Sequence, residues 1–237
     1  MRNVAGMGET SRFIVITGIT RGLGRALADF YLAQGHRVAG CGTNESLLEQ
    51  LQCKHGPAEN YARVDVTNAQ QVENWAQQLI DRNGSPDLLI CNAGMMNQHG
   101  DVAEIPVTHW EQMLSLNVMG VVHTLRSFVP AMKERQRGVI TAFTSAAGHR
   151  GYPKIAPYCA TKHAVEGILK SLSLELPETM ASVPVQPGVI DTDLLRGHYG
   201  ERSRAQASPE RWAAVAAPFL LNLGPTDNGQ SLRIEGY

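Results

Sequence analysis

Phe13-Ile14-Val15-Ile16-Thr17-Gly18-Ile19-Thr20-Arg21-Gly22-Leu23-Gly24 decides the reading of this chain. Four consecutive apolar residues predict a buried strand. The glycines that follow, spaced G-x-x-x-G-x-G, predict a turn into a helix over about residues 21–34. That turn would aim the first backbone N–H groups of the helix at the carboxyl edge of the sheet. A helix N-terminus carries partial positive charge and orphan donors, so a pyrophosphate fits there. Gly18 permits the tight turn, Gly22 admits a phosphate without a Cβ in its way, and Gly24 lets the helix sit close on the strand. Thr20, Arg21 and Leu23 share the loop and are candidate cofactor contacts. The spacing differs from the commoner G-x-G-x-x-G, and a glycine-rich turn without a ligand is the alternative.

Outward from this turn, short apolar runs alternate with amphipathic stretches. Strands are predicted at 37–41, 61–64, 87–91, 139–144, 183–186 and 231–234. Helices are predicted at 45–52, 69–82, 108 to beyond 132, 156–176 and 209–223. About seven alternations imply right-handed crossovers and an α/β, doubly wound parallel sheet covered on both faces. Pro184 falls in the sixth strand, an inner one in this arrangement. Proline has no N–H, so that strand is expected to begin at or just after it. No repeat or linker interrupts the chain, and residues 1–237 read as a single domain. The polar stretch 196–208 looks loosely held, so a mobile substrate flap is expected at about 191–208.

With 237 residues, 43% of them hydrophobic, the chain can bury a core without disulfide or metal staples. A net charge of −1 gives no electrostatic case for a nucleic-acid partner. No apolar run approaches the ~20 residues that span a bilayer. The first twelve residues lack the apolar core of a secretory signal and read as a short polar lead. Cys41, Cys53, Cys91 and Cys159 form no C-x-x-C pair and have no histidine at zinc-finger spacing. No metal site is expected. Cys41 and Cys91 each close an apolar run and read as buried free thiols, which suits a cytoplasmic protein.

A second constellation lies further along. Tyr158 and Lys162 form Y-x-x-x-K at the start of a helical pattern and share a helix face. An ammonium beside a phenol favours the phenolate and lowers a pKa normally near 10, which suits acid–base work. A surface pair is the alternative. Ser145 follows an apolar strand, at the edge where doubly wound folds gather their chemistry. It can hydrogen-bond a substrate carbonyl, or simply cap a turn. Asn117 is polar within an apolar helical stretch and must be satisfied, structurally or functionally. Asn92-Ala93-Gly94 ends the fourth strand beside the expected cleft. Pro187-Gly188 ends the sixth, followed by Val189 and Thr192. The end of the second strand, Ala39 to Asn44, holds no carboxylate to bind ribose hydroxyls. Arg21 can instead reach a 2′-phosphate, or merely cap a surface turn.

In these motifs, all in order, the chain resembles the short-chain dehydrogenase/reductase family in its short, non-extended form, over about residues 12–236. The resemblance implies a Rossmann-type, seven-stranded parallel sheet that binds a nicotinamide dinucleotide. By resemblance Tyr158 is the general acid or base and Ser145 holds the substrate oxygen. Lys162 binds the nicotinamide ribose and lowers the tyrosine pKa. Asn117 supports a water that relays protons to the lysine. Asp65, with Val66 beside it, contacts the adenine. Arg21 resembles the NADP-preferring branch, so NADP(H) is favoured over NAD(H). The chain departs from the family in Cys91, where a second asparagine is common. It departs again at Thr43, where NADP-preferring members often carry arginine, leaving the phosphate to Arg21 with Thr43 and Asn44.

Met95, Met96, His149, Tyr152 and Leu194 are candidates for the pocket lining. The expected activity is NADPH-dependent reduction of a small-molecule carbonyl. Oxidation of an alcohol and a dinucleotide-binding sensor without turnover are the alternatives. Apolar residues on more than one face of the long helices, among them Ile168, Leu169, Leu172 and Leu174, point to a homodimer or homotetramer.

Overall fold

The computed structural model describes residues 11–56 and 60–237, so the first ten residues of the polar lead lie outside the described part. The first half runs β1 (Phe13–Thr17), α1 (Gly22–Ala33), β2 (Arg37–Gly42), α2 (Glu45–His55), β3 (Tyr61–Arg63), α3 (Ala69–Asn83) and β4 (Leu88–Cys91). The second runs α4 (Val107–Leu114), α5 (Gly120–Arg135), β5 (Gly138–Phe143), α6 (Ala156–Ser173), β6 (Met180–Gln186), α7 (Asp193–Tyr199), α8 (Pro209–Asn222) and β7 (Leu232–Arg233). The strands pair in parallel as one seven-stranded sheet in the order β3-β2-β1-β4-β5-β6-β7. The order reverses between β1 and β4. Two crossovers leave there in opposite directions and open a crevice at the carboxyl ends of those strands.

Each central strand feeds two cores, because successive side chains point to opposite faces. Ile14 and Ile16 of β1 pack with Leu27 and Tyr31 of α1 and Trp212 of α8. Phe13 and Val15 pack on the other face with Trp75 of α3 and Phe128 of α5. Trp75 meets Phe128 edge-on at 5.3 Å, and Trp212 meets Phe143 at 5.7 Å. Both are favoured aromatic geometries.

The long helix predicted from residue 108 is two helices joined by a single π turn, Ser115–Met119. This wider turn carries Asn117 inward, where its side chain bonds both backbone groups of Met95. The expected loose stretch at 191–208 also has regular structure. Helix α7 is followed by a 3-10 segment at Gly200–Ala205, and the Asp191 N–H donates to the Ala207 carbonyl at 3.0 Å to close the base of the excursion.

Pro184 does not mark the start of β6. The strand begins four residues earlier, at Met180, and Pro184 pairs in register with Ala142. Alternation explains the tolerance. Ser182 faces away from β5: its N–H donates to Asn228 Oδ1 at 2.9 Å and its carbonyl accepts from the Gly229 N–H at 3.0 Å. Pro184, two residues on, faces the same way, and β7 pairs only with Val185 and Gln186. The missing N–H therefore falls where no strand lies opposite. Val183 faces β5 instead. Val183→Pro should cost about 3 kcal/mol or more by deleting a buried ladder bond, whereas Pro184→Ala should stay within about 1 kcal/mol of the parent. Denaturant titration of the two variants measures both values.

Candidate active site

The turn after β1 is built backbone against backbone. Gly18 and Gly22 have φ of +69° and +57°, in the left-handed region. A Cβ on Gly24 would stand 2.4 Å from the Gly18 carbonyl oxygen and 2.5 Å from Asn92 Nδ2. Beside Gly22 the nearest atom to such a Cβ is the Thr192 methyl at 3.7 Å. Space for a ligand therefore exists at Gly22, while Gly24 is glycine for packing. The Asn92 side chain donates to the carbonyls of Thr17 and Gly18, both at 2.9 Å. Its amide hydrogens are thus committed to holding the turn. The buried Thr17 hydroxyl accepts from the N–H groups of Asn92 and Ala93, at 3.0 and 3.1 Å. Thr17 was not singled out from sequence as a site residue. Its signal was a polar residue closing an apolar strand.

Helix α1 starts without a side-chain cap and without an acidic residue in its first turn. By contrast α2, α3, α7 and α8 are capped by Asn44, Asn68, Thr192 and Ser208. Helices α4 and α6 also lack a side-chain cap, but α1 is the one that starts at the glycine turn beside the cavity. Arg21, at the N-cap, is exposed and lies 3.7 Å from Asp193 across the mouth of the cleft.

A cavity of about 370 Å³ runs from this turn to the end of β5. Arg21, Gly22 and Leu23 line one end, and Ser145, Tyr158 and Lys162 line the other. Ala93, Gly94, Gly188, Val189 and Thr192 flank it. Trp212, fully buried, donates from Nε1 to the Pro187 carbonyl at 2.8 Å and fixes the Pro187-Gly188 turn. Gly18, Thr20 and Gly24 belong to the glycine turn and its junctions but do not line the cavity. Thr43, Asn44, Asp65 and Val66 lie beyond the cavity, on the loops after β2 and β3. Asn44 Oδ1 is used as the cap of α2, and Asp65 Oδ1 accepts from the backbone and hydroxyl of Thr67.

Ser145 caps a 3-10 turn, Ala146–Gly148, by accepting from the Ala147 N–H at 3.2 Å. Its own O–H stays available to donate. Tyr158 is half-buried against Ala147, Ile155 and Cys159. Lys162 Nζ lies 5.4 Å from the centre of the Tyr158 ring and donates to the Phe143 carbonyl at 2.7 Å. Burial pushes the Lys162 ammonium down to about 8. Asn117, almost fully buried, spends both amide hydrogens on the Met95 carbonyl and Thr161 Oγ1, at 2.8 and 3.1 Å. Thr161 in turn donates to the Tyr158 carbonyl at 2.9 Å. The Asn117 side chain thus braces the wall behind Met95. Thr161 was missed from sequence, although it stands beside Lys162.

Four of the five suggested lining residues, Met95, Met96, Tyr152 and Leu194, face the cavity. His149 does not: its Nε2 pairs with the buried Glu166 carboxylate at 3.0 Å. Cys41, Cys91 and Cys159 are buried free thiols and Cys53 is exposed. Burial raises the Cys41 and Cys91 thiols to about 12, so both stay protonated at neutral pH.

The family model for short chain dehydrogenase matches residues 12–202. The NADPH-dependent pterin aldehyde reductase of Arabidopsis thaliana is 37% identical over 226 residues, covering 94% of this chain and 93% of its own. The sorbitol dehydrogenase of Cereibacter sphaeroides is 34% identical over 211 residues, covering 86% and 82%. Among solved structures, the closed form of a serine dehydrogenase complexed with NADP+ superposes with a TM-score of 0.83 at 26% identity, over 93% of each chain.

The depressed Lys162 value has a consequence for stability. Between about pH 8 and the unfolded value near 10.5 the unfolded chain binds a proton that the folded one has lost. The parent protein therefore gains stability as pH rises through that window. Lys162→Met should compare best with the parent near pH 7 and lose ground steadily toward pH 10. Thermal melts of both proteins without cofactor, across that range, measure the difference. A pH-independent difference would show that the ammonium is not desolvated.

Proposed function

The chain belongs to the short chain dehydrogenase family, and from that premise we propose that it reduces a small-molecule carbonyl to an alcohol with NADPH. One observation carries the proposal. A single cavity has an uncapped helix N-terminus over glycines at one end and Ser145, Tyr158 and Lys162 at the other.

The glycine turn fits a dinucleotide pyrophosphate, since the first turn of α1 has no side-chain cap and Gly22 leaves room. Lys162 and Thr192 would hold the nicotinamide half, and Arg21 the 2′-phosphate. When bound, the reduced nicotinamide supplies the hydride for the carbonyl carbon. Ser145 donates to the carbonyl oxygen and fixes its position. Tyr158 delivers a proton to that oxygen as negative charge develops. Lys162, 5.4 Å from the ring centre, stabilises the phenolate left behind. The same residues serve the reverse reaction.

The substrate end is walled by Met95, Met96, Tyr152, Ile155, Leu194 and Leu195. Among the described residues, the charged ones that reach the cavity are Arg21, Asp193 and Lys162, two at the mouth and one beneath the tyrosine. An uncharged carbonyl with an apolar or planar body suits this wall, and the aldehyde substrate named for the plant relative supports an aldehyde. Benzaldehyde should be reduced with kcat/KM at least about tenfold above that of its para-carboxylate, because among the described residues the wall of the substrate end is uncharged and does not offset the cost of burying the carboxylate. We also infer a homodimer or homotetramer in the cytoplasm, supported by exposed Leu114, Met119 and Leu174 and by four unpaired cysteines.

Two variants test the chemistry and the cofactor. Tyr158→Phe keeps the ring and loses the acid. Turnover should fall about 10²-fold or more while NADPH binding, followed by its fluorescence, is retained. Near-parental turnover would mean that another group supplies the proton. Arg21→Ala should weaken NADPH about tenfold and leave NADH almost unchanged. Installing a repelling carboxylate as Gly42→Asp is a poorer probe, because a Cβ there would stand 2.7 Å from the Thr20 methyl.

A further inference from the structure

One turn beyond Lys162, α6 buries a carboxylate that the proposed chemistry does not use. Glu166 is 4% exposed. Its Oε1 pairs with His149 Nε2 at 3.0 Å. Its Oε2 accepts from Ser231 Oγ at 2.5 Å and pairs with Lys170 Nζ at 3.1 Å. Desolvation alone would raise its pKa. Ser231, the nearby Thr144 hydroxyl, Lys170 and the His149 charge together outweigh that and hold the carboxyl below its ordinary value. An apolar residue of similar volume would stabilise such a position at least as well, so stability alone does not account for a charge here.

Two of the partners flank Ser145 along the chain. Thr144 precedes it, and His149 follows the turn that Ser145 caps. Within that turn the Gly148 N–H donates to the Ser145 carbonyl at 2.8 Å. Gly148 lies so close to α6 that a Cβ would stand 3.0 Å from the Lys162 carbonyl oxygen and 3.2 Å from Glu166 Cγ. The serine turn is therefore pressed on the tyrosine–lysine helix at Gly148 and linked to it one residue later by the His149–Glu166 ion-pair contact, which is close but not aligned as a hydrogen bond.

We propose that Glu166 is a positioning residue: through His149 it holds the Ser145 turn against α6, so that the serine hydroxyl and the Tyr158 phenol address the same substrate oxygen. This rests on the roles proposed above for Ser145 and Tyr158. Neither Arg21 nor the glycine turn touches the network, so cofactor affinity should not depend on it.

A double-mutant cycle tests the idea, with parent, Glu166→Ala, Ser145→Ala and the double variant assayed on benzaldehyde well below their melting temperatures. Glu166→Ala should lower kcat about tenfold while the NADPH Kd moves less than about twofold. In the Ser145→Ala background the same change should cost less than about twofold, because the group through which it acts is gone. Glu166→Gln, whose single carbonyl oxygen can still accept from Ser231 but which lacks the charge facing His149, should recover only part of the lost kcat. If Glu166→Ala does not fold, His149→Ala breaks the same tie from its solvent-facing end and replaces it in the cycle. An equal loss in both backgrounds, or an unchanged kcat with only a lower melting temperature, overturns the proposal. Near-parental activity of Ser145→Ala alone would overturn the reading of the site itself, and the positioning role with it.

Discussion

At the reversal point of the sheet, α1 approaches β1 and β4 until only hydrogen atoms fit between them. The space that a Cβ on Gly24 would need is taken by the Gly18 carbonyl and the Asn92 amide. That amide closes the contact by donating to the carbonyls of Thr17 and Gly18. This approach shapes the glycine-turn end of the cleft. It sets where the α1 N-terminus points and how far Arg21 stands from Asp193 at the start of α7. It also places Ala93 and Gly94 opposite the glycine turn. A larger residue at position 24 would force helix and strand apart, and the glycine-turn end of the cavity would open to water.

The far end of the cavity is held by a different principle. There the polar groups are buried and each is given a partner, as interiors require. Lys162 reaches the Phe143 carbonyl, Asn117 braces Met95 and Thr161, and Thr161 reaches the Tyr158 carbonyl. Because these bonds tie α6, the π turn and β5 together, the tyrosine cannot move independently of the strand that ends at the serine. Backbone proximity shapes one half of the cleft, and satisfied polar side chains shape the other.

The strand–glycine–helix opening and the alternation behind it were legible because they depend on local spacing. So were Ser145, Tyr158 and Lys162, whose separations in sequence are short. What was not legible depends on partners far away. Proline at 184 is disfavoured in an inner strand by any local rule, and only the shortness of β7 excuses it. The π turn at 115–119 depends on Met95, twenty-two residues upstream of Asn117. His149 looked like a lining residue because its neighbours line the cavity, but Glu166 from another element turns it aside. Asn92 stood in the right motif and lines the cavity, but that its amide is spent on holding the glycine turn is revealed only by the two carbonyl contacts.

Proline in β6 bears on more than the strand's own register. A parallel sheet ends in two open edges, and an open edge recruits strands from other chains. Here the outermost strands are very short, three residues in β3 and two in β7. Most of β6 would therefore lie bare beyond β7. Along that stretch Ser182 has both backbone groups taken, by the Asn228 side chain and by the Gly229 N–H, and the next position facing outward is Pro184, which has no hydrogen to offer. An incoming strand would find no free donor to zip against. The residue that local rules would exclude from the sheet thus keeps the sheet from growing, guarding the folded chain against edge-to-edge aggregation on the side where its own last strand stops short.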